Sequence, residues 1–427
     1  MNNQNFSNPS KIKNHGEWQI RKINDLCLKV TSGSTPLRKK EEYYKEGEIL
    51  WFKTKELNKY LLYDSEEKIT DLALEETSVK LFPAGTVLMA MYGDGKTITS
   101  LGILSKEATT NQACCAMIPN KEICDSDFLY FSLAKHKNDF LLIANGGAQR
   151  NLNCSLIKDF CIAAPPIRQQ KMIGEVLSAF QKKIEINQKT NDTLQDIAKA
   201  LFKSWFIDFD PVRAKAEKSP TGIANEISDL FPDSFEDSEL GQIPKGWQIQ
   251  KISQIINRLP VGKKFSNNTV NERGNIPVID QSNNGIIGFH DEEPGINASM
   301  DHPLFTFANH TCAMRVMMHP FSVIQNVFPL EGKRISTLWL YLASLGKQKF
   351  SEYKGHYPDL IDKEIVVPSG HIDKYFHDIV LDLYRNIFIK EKESLLLIQL
   401  RDVLLPKLIS GELEIPNAEK IIEEAGI

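Results

Sequence analysis

At 427 residues the chain is too long for one ordinary hydrophobic core, which predicts two or three domains. Its 42% apolar and 25% charged residues are those of a soluble globular protein; no run of about eighteen apolar residues occurs, and the polar opening MNNQNFSNPSKIKN lacks the apolar core of a secretory signal, so the cytoplasm is the expected compartment and no membrane partner is expected. The net charge of −4 is unevenly spread: residues 222–241 hold six acids and no base, residues 411–427 hold five acids and one base, and the remainder carries +6, so the overall acidity does not exclude DNA.

In chain order, a polar tail (1–16) precedes EWQIRKI (17–23). Strands are then predicted in VLMAMYGD (87–94) and ACCAMIP (113–119), punctuated by Gly and Asn. GAQRNL (147–152) and FCIAAPP (160–166) lead into a long helix over 167–206, where a 3,4 spacing joins Ile173, Leu177, Phe180, Ile184, Asn187, Asn191, Leu194, Ala198 and Leu201. Residues 207–245, with IDFDPVRAK, the acidic stretch and ELGQIPKGW, read as a surface linker with short helices.

GWQIQKI (246–252) then restarts the wording of EWQIRKI, with Trp247 lying 229 residues after Trp18. NIPVID, PLFTFAN and MRVMMHP play the part of the first strands. GHYPDL (355–360) matches GAQRNL at an offset of 208, and EIVVPSG matches FCIAAPP at 203. A second helix over 370–409 repeats the seam at the same offset of 203: Phe376, Val380, Leu383, Ile387, Lys390, Ser394, Leu397, Arg401 and Leu404, before a tail at 410–427. The seams are apolar at their ends and polar at their centres, so antiparallel pairing would bring Asn187 and Asn191 to Lys390 and Ser394; the alternative is two helices that each pack only on their own globule. The fold expected is α+β: two β-rich domains (17–166 and 246–369) separated by two long antiparallel coiled-coil helices, a pseudo-twofold internal repeat whose second globule is about 26 residues shorter.

Catalytic chemistry finds no foothold. DGKT (94–97) lacks the first glycine of a phosphate loop, the nine histidines form no HExxH, and no GxSxG or Gly-rich dinucleotide pattern occurs. PDLIDKE (358–364) lacks the carboxylate-x-Lys element of a nuclease, and NPS and DPV fail the Asn/Asp-Pro-Pro-aromatic loop of an adenine methyltransferase. The seven cysteines (Cys27, Cys114, Cys115, Cys124, Cys154, Cys161 and Cys312) are odd in number and form no CxxC, so buried thiols are expected and a structural metal is not.

The ordered set WQIRKIxDL, TSGSTP, GEILWF, TNQACCAMIP, GAQRNL, LFKSWFIDFDPVRAK, ELGQIPKGW and LLPKLISGEL, spanning about residues 17–413, resembles the DNA-specificity subunits of Type I restriction-modification systems. The resemblance implies two target-recognition domains that each read one half of a bipartite double-stranded DNA target, and helices that dock two methyltransferase subunits. It implies restriction and translocase subunits in the larger complex, with S-adenosylmethionine, ATP and Mg in those partners and no cofactor or catalysis in this chain. RLPVGKKF (258–265) departs from the TSGSTP pattern. The alternative is a non-catalytic two-headed adaptor that binds protein; a nuclease or methyltransferase in its own right is a third reading.

DNA recognition needs cations for phosphates and amide, hydroxyl or guanidinium groups for base edges. In the first domain the candidates are Ser34, Thr35, Arg38, Lys39, Lys40, Lys53, Lys55, Tyr92, Lys96, Thr97, Gln149, Arg150 and Asn151. In the second they are Lys263, Lys264, Asn267, Asn268, Arg273, Gln281, Ser282, Asn283, Asn284, Arg315, Lys354, His356 and Tyr357.

Overall fold

The computed structural model describes residues 18–93, 97–144, 151–282, 285–352 and 354–417. The chain is mixed α and β and divides into two compact units: residues 1–186 with 393–427, and residues 187–392. Each long helix contributes to both. The first spans Ile167–Phe206 and the second Ile372–Ser410. Among the described residues no helix is long and apolar enough to cross a membrane.

The first unit holds a five-stranded sheet in the order Cys27–Ser32, Cys114–Pro119, Val87–Ala90, Leu101–Leu104, Leu61–Leu62. A three-stranded sheet places Ile49–Phe52 between Lys68–Ile69 and Thr109–Thr110. Val87–Ala90 and Leu101–Leu104 are buried along their whole length, as expected of strands covered on both faces. The helix Ser126–Lys135 packs behind them through Phe128, Leu129, Phe131 and Leu133. Ile173, Leu177 and Phe180 of the first long helix share this core with Leu397, Leu404 and Leu408 of the second. Arg401 Nη1 donates to Gln181 Oε1 at 2.6 Å, and Lys183 pairs with Glu393 at 3.2 Å, so the helices run antiparallel here. Ile184 is partly buried against the same core.

The second unit repeats the plan with four strands, Ile256–Arg258, Val327–Gly332, Leu304–Ala308 and Met314–Met317, and a second sheet of Ile286–His290, Ile276–Ile279 and Ser322–Val323. Its helix Thr337–Ser344 is buried from Leu338 to Ser344. Phe376, Val380 and Ile387 join Ala198 and Phe202 in one core, with Leu194, Leu201 and Leu383 at its margin. The polar seam centres meet: Asn187 Nδ2 donates to the Lys390 carbonyl at 3.5 Å, and Asn191 Nδ2 to the Ile387 carbonyl at 3.4 Å.

The repeated words occupy the same places in both units. Gln19–Lys22 pairs antiparallel with Cys161–Ala164, and Gln248–Lys251 with Glu364–Val367, in one register. A four-residue helix follows each, burying Ile23 and Leu26 or Ile252 and Ile255. Lys22 binds Asp159 at 2.9 Å, and Lys251 binds Asp362 at 2.6 Å. These pairs fix an offset of 203 ahead of the prolines, which corrects the match of GAQRNL to GHYPDL. The short helix Cys154–Asp159 is answered by Tyr357–Ile361, so PDLID stands where SLIKD stands.

The linker reading is also corrected. Residues 207–245 fold onto the second unit as the helix Asp210–Ala216, the turn Asn225–Ser228 and the hairpin Phe235–Ser238/Gly241–Pro244. Phe209, Val212, Phe231 and Ile243 are buried, and Trp247 lies 5.7–6.4 Å by ring centroid from Phe206, Phe209 and Phe231. The acids are solvated, but the apolar residues spaced between them bury enough aromatic surface to order the segment.

Candidate nucleic-acid interface

In the first unit the TSGSTP loop is pinned to the sheet from below. A Cβ at Gly33 would lie 2.0 Å from the Thr110 carbonyl oxygen, so only glycine permits this approach. Ser34 N donates to Thr110 O at 2.9 Å, and Trp51 Nε1 donates to Ser34 O at 3.0 Å. The Ser34 hydroxyl faces that of Ser78 at 2.8 Å, and the Thr35 hydroxyl donates to Gln112 Oε1.

The cations beyond this loop are paired among themselves with acids. Arg38 lies 4.7 Å over Trp51 and 4.8 Å over Tyr44, and its guanidinium binds Glu67. Lys53 reaches Glu66 and Glu67, Lys55 reaches Glu66, and Lys40 reaches Glu42, Glu76 and the Tyr43 hydroxyl. The Arg38 and Lys53 hydrogen bonds hold the Glu67 carboxyl down to about 2. Lys39 is exposed, with no ion pair among the described residues. This cluster is therefore largely self-neutralised, which sequence reading missed: Arg38 and Glu67 are 29 residues apart and no local pattern announces them.

Tyr92 and Asn151 are exposed and Thr97 is half-buried at the edge formed by the strand ends. Leu152 N donates to Met91 O at 2.8 Å, which ties the segment after GAQR to this edge. Lys96, Gln149 and Arg150 lie outside the described residues, as do Asn283 and Asn284 of the second unit.

The second unit knits three loops at the equivalent edge. His310 N donates to Gln281 Oε1 at 2.9 Å, and the Thr311 hydroxyl donates to Gln281 O at 2.6 Å. Asn309 accepts from His356 N at its carbonyl (2.8 Å) and from Tyr357 N at its side chain (2.9 Å). Gly285 has φ +71°, a left-handed conformation that favours glycine, and the Arg315 guanidinium lies 2.1 Å from where a Cβ would stand. Ser282 Oγ donates to Asp280 at 2.7 Å and closes the same turn. Lys263 binds Glu292 at 2.5 Å, and Lys354 binds Asp359 at 3.2 Å and Glu352 at 3.4 Å. Lys264, Asn267, Asn268 and Arg273 are exposed.

His356 is a correction. Its ring is fully buried, with Nδ1 3.1 Å from Gln348 Nε2 and Nε2 3.0 Å from the Glu352 carbonyl, so it organises its own loop and reaches no ligand. Tyr357 is half-buried, its ring edge-on to Phe328 at 4.9 Å, and contributes packing as well as surface. Among the described residues no group of three or more His, Cys, Asp or Glu is placed to hold a metal ion.

Residues 15–196 match the family model described as the Type I restriction modification DNA specificity domain. The specificity subunit of the Type I restriction enzyme MjaIX of Methanocaldococcus jannaschii is 27% identical over 428 residues, covering 93% of this chain and 94% of that one. The HindI specificity subunit of Haemophilus influenzae is 24% identical over 365 residues, covering 69% and 79%. The crystal structure of a Type I restriction-modification S subunit from M. genitalium shares the fold, with a TM-score of 0.58 at 18% identity over 93% of this chain and 97% of that one. By sequence and by fold the chain is similar to the DNA-specificity subunits of Type I restriction-modification systems.

Proposed function

We propose that each unit carries one target-recognition domain and that each domain reads one half of a bipartite DNA sequence. The long helices form a coiled-coil spacer of pseudo-twofold character that sets the gap and docks two methyltransferase subunits; restriction and translocase subunits join them. Chemistry that uses S-adenosylmethionine, ATP and Mg resides in those partners, and this chain contributes recognition without catalysis. The observation that carries the reading is the duplicated frame, identical in strand register and in its Lys–Asp pair, beneath loop edges that differ. A conserved frame under divergent loops is what two independent readers of different half-sites require.

The test is to reconstitute the chain with its methyltransferase subunits and map methylated adenines in a random DNA library. A gapped two-part motif is expected; methylation with no site preference sinks the reading in favour of a protein-binding adaptor. Replacing residues 246–369 with the matching domain of a relative should alter one half of that motif only, and a change in both halves refutes independent heads.

A further inference from the structure

Arg258 ends the first strand of the second unit's four-stranded sheet. Its guanidinium lies 3.8 Å over the Phe328 ring and 5.7 Å from the Tyr357 ring, which themselves meet edge-on. Tyr357 N is held by Asn309, so the stack stands on the same knitted edge as Gln281 and the loop at 309–313. The residue is exposed, and among the described residues no acid or side-chain acceptor engages its fork. The nearest acid in the paired strand, Glu331, is taken by Asn257 Nδ2 at 2.7 Å.

Arg38 in the first unit makes the contrast. It too is stacked on aromatic rings, yet its fork is filled by Glu67. The aromatic support is thus present at both arginines, but among the described residues Arg258, unlike Arg38, has no acid engaging its fork.

We infer that Arg258 is a specificity-determining residue that reads a guanine in the half-site of the second recognition domain, an inference that rests on the proposed function. A guanidinium seated 3.8 Å over a ring is restrained by it, and its planar fork of N–H donors can match O6 and N7 of guanine in the major groove. A phosphate can also be met by a point charge, and the loop that follows supplies the exposed Lys264 for it, Lys263 being bound to Glu292. Ring support also lowers the conformational entropy lost on binding, because the fork is ordered before DNA arrives.

The experiment is methylated-site mapping on the reconstituted methyltransferase complex, comparing the natural chain with Arg258→Lys and Arg258→Met. Lysine keeps the charge and methionine keeps the apolar stem over Phe328, while both lose the fork. Both should relax one guanine of the second half-site, with a loss of discrimination of about 5- to 150-fold at that position. The first half-site serves as the internal control for a folded, assembled complex and should be unchanged. An unaltered motif with both variants overturns the inference and leaves the proposed function standing. So does uniform weakening across all sequences in Arg258→Met that lysine rescues, which marks a phosphate contact. Absence of any gapped motif with the natural chain overturns both.

Discussion

In the first unit Gln170, four residues into the long helix, accepts from Asp125 N at 3.1 Å and donates to the carbonyls of Ile123 and Pro165. In the second, Asp373 stands 203 residues later and accepts from Ser336 N at 2.8 Å. Both side chains are buried, and both fix the residue that caps the following helix: Asp125 accepts from Phe128 N, and Ser336 from Trp339 N. Different residue types thus perform one task, because geometry demands a buried acceptor at that spot and any short or medium polar side chain can supply it. At the loop edges the units agree far less. The first sets Cys115 and Cys154 near Met91 where the second sets Phe328 and Tyr357, and the first neutralises its stacked arginine where the second leaves it open. Frame positions are held by packing and hydrogen bonds within the unit, and the loop edges are where the two units diverge.

The largest effect should come from the two tryptophans that open the repeats. Trp247 is buried among Phe206, Phe209 and Phe231, whereas Trp18 is only half-buried beside Met172, Leu413 and Ile415. Trp247→Ala should lower local stability by about 3–5 kcal/mol and Trp18→Ala by about 1–2 kcal/mol. Hydrogen exchange on peptides from each unit measures the two separately, and equal losses would contradict the asymmetry.

Next come the buried acceptors. Gln170→Ala and Asp373→Ala should each cost about 1–3 kcal/mol through stranded backbone partners, read as faster exchange at Asp125–Phe128 or Ser336–Trp339 respectively. Exchange that accelerates in both units for either variant would break the claim that each unit stands on its own cap.

Glu67→Gln probes the neutralised cluster. Releasing Arg38 and Lys53 should tighten DNA binding at low salt and steepen the slope of log K against log salt by about one to two. The carboxyl's value falls on folding from 4.5 to about 2, so the stability it contributes is fully present above about pH 4.5 and is lost as pH falls toward 2. The stability difference between the natural chain and Glu67→Gln should therefore fade over that window; a difference that persists at pH 2 would show that Glu67 acts through packing.

The smallest effect is expected at the repeated Lys–Asp pairs. Lys22→Ala and Lys251→Ala remove exposed pairs at corresponding sites and should leave Tm unchanged, since surface pairs are screened and entropically costly. A fall of several degrees in either would mean that the pair locks strand register and is not a by-product of it.

The doubled wording around Trp18 and Trp247, the 3,4 spacing of both seams and the proline before each helix determined the internal repeat, the long helices and their polar centres. Those signals are local or strictly periodic, and a helix or strand pair imposes its periodicity on the residues that build it. Tertiary structure decided what periodicity cannot encode. It turned residues 207–245 from a linker into part of the second core, because Phe209, Phe231 and Trp247 meet only after folding. It buried His356 between the Glu352 carbonyl and the Gln348 amide, matched Arg38 with Glu67 and left Arg258 open. Each of these depends on partners that only the folded chain brings into contact, and a side chain's availability for DNA is set by those partners as well as by its own chemistry.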